Sequence, residues 1–155
     1  QPHPVVLVEQ VQAASYCAWW GKRFGARAHL PTEAQWEKAA RGERGQAYPW
    51  GANFDPSLLN GAEAKFNDTI PVGSFSDAAS PYGAQDMAGN VFEWTQTPYE
   101  DGSYVVKGGA FSTTGGLARA AARHGRPANL RHITIGFRCV TSAIKDKPKR
   151  RGSRK

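Results

Sequence analysis

The chain has 155 residues, 40% of them hydrophobic and 21% charged, which suits a single domain with one buried core. Seventeen Gly, ten Pro and five Trp exclude a plain helical bundle and predict a loop-rich fold in which aromatic side chains pin irregular backbone. The formal charge of +7 is uneven, because residues 141–155 hold seven Lys or Arg against Asp146 alone and leave only +1 for residues 1–140. The body therefore has no global field to recruit nucleic acid. The basic tail has no apolar periodicity and is expected to be disordered, a solvated terminus or linker, or else a contact for anionic partners. No apolar run approaches the length needed to cross a bilayer. The one methionine is Met87, so the chain is expected to be a processed product or an excised piece.

Residues 4–8, P-V-V-L-V, read as a short β-like run. Ala13, Tyr16, Cys17 and Trp20 then recur at helical spacing and predict one apolar stripe on a helix over residues 9–22. A second helix has clearer punctuation. Thr32 is a candidate N-cap, Gln35 completes a capping box, and Gly42 suits the position just past the end. Its buried face should be Trp36, Ala39 and Ala40, with Glu33, Glu37 and Lys38 in solvent. From residue 45 to 80 the sequence is turn chemistry, with Trp50 and Phe75 as the expected anchors. Asn67-Asp68-Thr69 fits a glycosylation acceptor, although such triplets arise often by chance.

Residues 82–94, Y-G-A-Q-D-M-A-G-N-V-F-E-W, place Asp86 and Glu93 at either end of a tight turn. Gly89 and Asn90 tolerate φ > 0 there, and residues 91–94 read as the start of a strand. Such a turn aims the carbonyls of Gly89 and Val91 at the same spot as the two carboxylates, an oxygen site of the kind a hard cation such as Ca²⁺ requires. The plainer alternative is a hairpin turn with two solvated acids. Further on, Tyr104-Val105-Val106 reads as a strand running into Gly108-Gly109, where the backbone passes close to something. Ile133, Ile135, Phe137 and Cys139 alternate with polar or small neighbours as one half-buried strand. Cys17 and Cys139 both face the core. They either bond, closing a long loop worth about 4–5 kcal/mol on a chain-entropy estimate, or stay as two buried thiols.

Several segments, in order, resemble the formylglycine-generating enzyme (sulfatase-modifying factor) family. They are H-P-V-V from His3, A-S-Y-C-A-W-W-G-K-R from Ala14, L-P-T-E-A-Q-W-E-K-A-A-R-G from Leu30, P-V-G-S-F from Pro71, the 82–95 stretch, K-G-G-A-F from Lys107 and G-F-R-C from Gly136. The resemblance covers nearly all of residues 3–140 and implies an α+β, irregular C-type-lectin-like fold. It implies one domain over residues 1–140, without the long N-terminal portion usual in the family; that portion is either dispensable or carried elsewhere, and association with another chain or copy is then favoured. It also implies calcium held by Asp86, Gly89, Val91 and Glu93, a second calcium site in which Asn60 and Asp68 take part, and a Cys17–Cys139 disulfide as in secreted members. That pairing points to an extracytoplasmic setting.

Family enzymes oxidise a substrate cysteine with O₂ through two cysteines after a G-G-S segment, and those thiolates bind Cu(I). Here residues 108–116 read G-G-A-F-S-T-T-G-G. Thr113 stands near the first cysteine's place and Gly115 near the second's, so neither copper nor this oxidation is expected. A related branch uses a three-histidine iron site, but His3, His29, His124 and His132 lack any such spacing. The expected role is a binding module, a receptor or a kinase-appended domain, for a peptide, a protein or a small anionic ligand. Its groove would be lined by Phe92, Phe111, Thr113, Arg119, Arg123, His124, Arg126, Arg131, His132 and Thr134, because Arg forks suit carboxylates. Arg138 is expected to be an internal tie to loop carbonyls. An oxidase with altered chemistry is the rival, and a regulatory or scaffolding domain a third reading.

Overall fold

The computed structural model describes residues 2–142; the basic tail beyond them lies outside the described residues. Two helices pack on a small mixed sheet, an α+β arrangement. Helix α1 spans Gln10–Phe24 and helix α2 spans Glu33–Arg41. Strands β2 (Phe92–Pro98), β3 (Ser103–Lys107), β4 (His124–Pro127) and β5 (Ile135–Gly136) form a sheet in the order β4-β3-β2-β5, while β1 (Ala28–His29) pairs with β6 (Val140–Thr141).

Helix α2 forms for the reason its sequence predicts. Thr32 Oγ1 accepts from Gln35 N–H at 3.1 Å and Gln35 Oε1 accepts from Thr32 N–H at 2.9 Å, a complete capping box. Trp36 and Ala40 are buried and Ala39 packs partly against them. The expectation that Glu33 and Glu37 lie in solvent is corrected. Lys107 is fully buried on β3, 0% exposed, with its ammonium 3.1 Å from Glu37 and 3.7 Å from Glu33, since a buried cation must be paired. Arg41 adds a second bond to Glu37 at 2.6 Å.

In α1 the buried stripe is Gln10, Ala13, Cys17 and Gly21, so the expected stripe was centred one flank away. Tyr16 is 49% exposed and Trp20 only partly covered. The helix also runs past Gly21 to a left-handed Gly25. Gly21 stays inside the helix because a Cβ there would stand 2.7 Å from both Ala26 O and Ala28 N, where β1 crosses the helix. Cys17 and Cys139 are bonded, with Cα atoms 5.5 Å apart across 122 residues of sequence, which ties α1 to the chain's last described stretch.

Three further expectations are corrected. Residues 4–8 form no strand; Leu7 has φ 61°, and the run is an extended strap held by Leu7 N–H on His132 O and Trp94 Nε1–H on Val8 O. Residues 133–139 are not one strand, because Ile135–Gly136 pairs in parallel with β2 while Val140–Thr141 joins the other sheet. Ile133 is left 52% exposed. The loop region is anchored by Leu59 and Tyr48, at 1% and 4% exposure, with Trp50 stacked outside Tyr48 at 5.2 Å. Phe75 is only half-buried.

Two predictions follow from these ties. Replacing both Cys17 and Cys139 by Ser should cost about 4–5 kcal/mol on the chain-entropy estimate, read as a fall in the denaturant midpoint with a steeper slope, because the unfolded chain without the cross-link exposes more surface. For Glu37, burial raises the carboxyl pKa, but hydrogen bonds from Arg41 and Lys107 and their charges outweigh it, leaving the group below the ordinary carboxylate range. A depressed folded pKa contributes stability above the unfolded value and loses it as pH falls through the folded one. Glu37→Gln should therefore destabilise at neutral pH, by about 1 kcal/mol because the carboxylate is part-exposed and Lys107 keeps Glu33, and the loss should shrink on acidification below the carboxylate range.

Candidate functional site

The turn before β2 is built by three left-handed residues in five positions: Asp86 at φ 55°, Gly89 at 77° and Asn90 at 65°. Gly89 admits no side chain, since a Cβ would stand 2.6 Å from Asn60 O. Its own N–H donates to Gly108 O at 2.7 Å, and Asn90 N–H donates to Asn60 O at 2.7 Å. The turn is thereby clamped between the 59–61 loop and the Gly108 bend.

This clamp brings Asp86, Gly89, Val91 and Glu93 to the wall of one cavity of about 240 Å³, closed on another side by Pro4 of the strap and by Arg138. Glu93 is 6% exposed. Its Oε2 accepts from Trp36 Nε1 at 2.6 Å and Arg138 Nε at 2.5 Å, and its Oε1 from Arg138 Nη2 at 2.6 Å. Arg138 also donates to the carbonyls of Gln85 and Asp86, at 3.0 and 3.3 Å. Burial pushes the Arg138 pKa down, but the charge and hydrogen bonds of Glu93 and the charge of Asp86 raise it further, so the guanidinium stays charged. Asp86 Oδ2 accepts from Gly73 N–H at 2.7 Å; no protein donor among the described residues reaches its other oxygen.

Asn60 lies beside this cavity, 1% exposed. Its amide nitrogen donates to Asp68 O at 2.9 Å and Asn90 Oδ1 at 3.2 Å, while its own Oδ1 is buried without a hydrogen-bond partner. Asp68 Oδ1 accepts from Thr69 N–H at 2.7 Å, so that carboxylate turns back on its own loop.

The residues expected in a groove are spread over several places. Phe92 is the centre of one group. The His124 ring meets it edge-on at 5.3 Å, the Arg126 guanidinium lies 5.6 Å from its ring centre, and its N–H donates to Thr134 O at 2.8 Å. His132 Nδ1 sits 2.8 Å from Thr134 Oγ1. His124 Nε2 is buried with no partner, and burial, then the charge of Arg126, push its pKa down. The ring is therefore neutral at physiological pH. Phe111 is buried next to the turn, its N–H on Asn90 O at 2.9 Å. Thr113 Oγ1 is spent on its own bend, accepting from Ala110 N–H at 2.8 Å and donating to Ala110 O at 2.9 Å.

Three arginines stand apart from that group. Arg123 makes a two-pronged pair with Glu33 at 2.9 and 3.0 Å and lies over the Tyr99 ring. Arg131 pairs with Glu9 at 3.1 Å, and Arg119 lies over Tyr48. None of the ten expected groove residues lines the surface cavities beside α2, at the Asp86–Glu93 turn, or between the strap, α1 and Cys139. The expected tie of Arg138 to loop carbonyls is present, on Gln85 O and Asp86 O; what sequence reasoning missed is the network of α2 acids with Lys107, and the pairing of Arg138 with Glu93. The only sequence signal for the first was the presence of Glu33 and Glu37 one helical turn apart on a short helix.

The profile of the sulfatase-modifying factor enzyme 1-like domain matches residues 1–143. The chain is 37% identical to the inactive C-alpha-formylglycine-generating enzyme 2 of Mus musculus, across 93% of this chain and 51% of that protein. It is 38% identical to the serine/threonine-protein kinase pkn1 of Chlamydia caviae, across 89% of this chain and 24% of the kinase. Among solved structures, PvdO from Pseudomonas aeruginosa superposes with a TM-score of 0.78 at 27% identity, over 88% of this chain and 60% of that one. The chain thus spans about half the length of the first relative and a quarter of the second. With the family profile covering the whole described fold, the chain belongs to the sulfatase-modifying factor enzyme 1-like, or formylglycine-generating enzyme, family.

Proposed function

We propose that the chain is a non-catalytic, calcium-braced binding domain of this superfamily, whose anionic or peptide ligand meets the cationic and aromatic face around Phe92. The observation that carries the first half is the sulfur inventory. The chain has two cysteines, and both are consumed by the Cys17–Cys139 disulfide. Family oxidation needs thiolates to hold Cu(I), and residues 108–116 offer hydroxyls and glycines in their place. Two relatives support the same reading: one is named an inactive enzyme, and the other attaches a domain of this kind to a kinase.

Calcium is supported by the chemistry of the donors. Asp86 and Glu93 bring two negative charges to one cavity against the single charge of Arg138. Asp86 keeps an oxygen that no described protein donor reaches, and Gly89 and Val91 share the wall. An all-oxygen set of this kind suits a hard cation. The buried, unpaired Oδ1 of Asn60 supports a second oxygen-coordinated ion, since an orphaned buried carbonyl is costly. An ion bound in either place would hold the clamped turn under β2 and so set the position of Phe92.

For the ligand face, Arg126 supplies the forked cation and His124 a neutral ring, both packed over the buried Phe92 ring. Arg123 contributes only if a ligand carboxylate displaces Glu33. Arg126→Ala should lower affinity for acidic peptides by about tenfold or more, as for loss of a charge-assisted bond, in a peptide-array or calorimetric comparison with the parent chain.

Calcium a hundredfold above its Kd should raise Tm by about 5–10 °C over a chelator control. Asp86→Asn, which keeps the left-handed backbone, should remove most of that rise. An unchanged melting curve in millimolar calcium would sink the calcium half of the proposal. Incubation of a cysteine-containing sulfatase peptide with copper and O₂ should yield no aldehyde by mass spectrometry. Turnover in that assay would restore the oxidase reading.

A further inference from the structure

A second cavity, of about 470 Å³, lies on the other side of the Phe137–Arg138 segment, between the N-terminal strap and α1. Its volume falls in the range of small-molecule pockets, roughly 300–1,000 Å³. Val5, Val8, Tyr16 and Phe137 form its apolar wall, with the Tyr16 and Phe137 rings edge-to-face at 5.5 Å. Tyr16 is the residue that the helical periodicity assigned to the core and that the fold leaves 49% exposed. Apolar walls of this kind surround few polar groups, and those decide what enters.

Here the polar side chains are Gln12, Arg138 and the Tyr16 hydroxyl, and each offers a donor. Gln12 uses its Oε1 to accept from Glu9 N–H at 3.0 Å, which leaves the amide NH₂ as its remaining function. Arg138 spends Nε and Nη2 on Glu93, Gln85 and Asp86. Its Nη1 takes no acceptor among the described residues and is not among their buried unpaired atoms. Among the described residues, no carboxylate lines this cavity. The result is an apolar trough whose polar side chains each carry a donor, one of them a charged guanidinium.

We infer that this trough binds a small amphipathic carboxylate, an apolar or aromatic body bearing one carboxylate that accepts from Gln12 and from Nη1 of Arg138. The complementarity is specific in sign. An amine would face the guanidinium, and a neutral body of the same shape would leave these donors without an acceptor. The site is separate from the Phe92 face, and it shares Phe137 and Arg138 with the cavity of the Asp86–Glu93 turn.

The test uses the full chain and 2-naphthoate, with 2-naphthamide as the uncharged isostere, followed by calorimetry and by amide chemical shifts. Naphthoate should bind with shifts centred on Gln12, Tyr16 and Phe137, and naphthamide at least tenfold more weakly. Gln12→Glu keeps an acceptor at the third helical position, as a capping box requires, and sets a negative charge against the ligand. It should melt like the parent chain and lose tenfold or more in affinity. Val5→Trp, at a position 61% exposed, should fill the trough and abolish binding. Equal binding of acid and amide, shifts confined to the Phe92 face, or no binding at millimolar naphthoate would each overturn the inference. None of these results would touch the calcium or groove proposal, which is read at Asp86 and Arg126.

Discussion

The structure depends on the buried carboxylate of Glu93. It lies at the start of β2, 6% exposed, and draws together groups that are far apart in sequence: Trp36 from α2 and Arg138 from the segment after β5. Through Arg138 the same anchor reaches the carbonyls of Gln85 and Asp86. A buried carboxylate is tolerated only when charge and hydrogen bonds compensate its lost hydration. That demand fixes the approach of α2 to the sheet and the path of the chain past Phe137. In a fold with so little regular ladder, ionic ties take over positioning that longer strands would supply.

A second buried ion works on the other side of α2. Lys107 is enclosed at the end of β3 between Glu33 and Glu37, and these acids also hold Arg123 and Arg41. The consequence for recognition is direct. Arg123 is already paired with a carboxylate of its own chain, whereas Arg126 bonds, among the described residues, only its neighbour's carbonyl, Gly125 O at 2.7 Å. The two arginines are alike in sequence and differ in what remains for a ligand.

The two cavities with chemical promise share a wall. Phe137 and Arg138 line both the cavity of the Asp86–Glu93 turn and the apolar trough beside α1. Arg138 therefore faces acids on one side and, on the other, a trough with no acids. A change in charge on either side is felt by the same guanidinium, so the two sites are electrostatically connected through one side chain.

What the sequence determined by itself were the features written in local chemistry. The capping box at Thr32 and Gln35, the left-handed turn at Gly89 and Asn90, and the strand over Tyr104-Val105-Val106 all follow from residues a few positions apart. The family was legible too, because its motifs are dense and ordered. Only the tertiary structure decided what depends on non-local partners. Periodicity placed Tyr16 and Trp20 in the core, but burial is set by where Gly21 lets β1 cross α1. The apolar run of residues 4–8 became a strap because no strand lies beside it, and the expected strand over residues 133–139 was cut short to Ile135–Gly136 beside β2, the chain pairing next with β1 only at Val140–Thr141. The solvent assignment of Glu33 and Glu37 failed for a related reason. A carboxylate on a helix looks solvated in sequence, and nothing within the helix announces that a lysine seventy residues later will be buried against it.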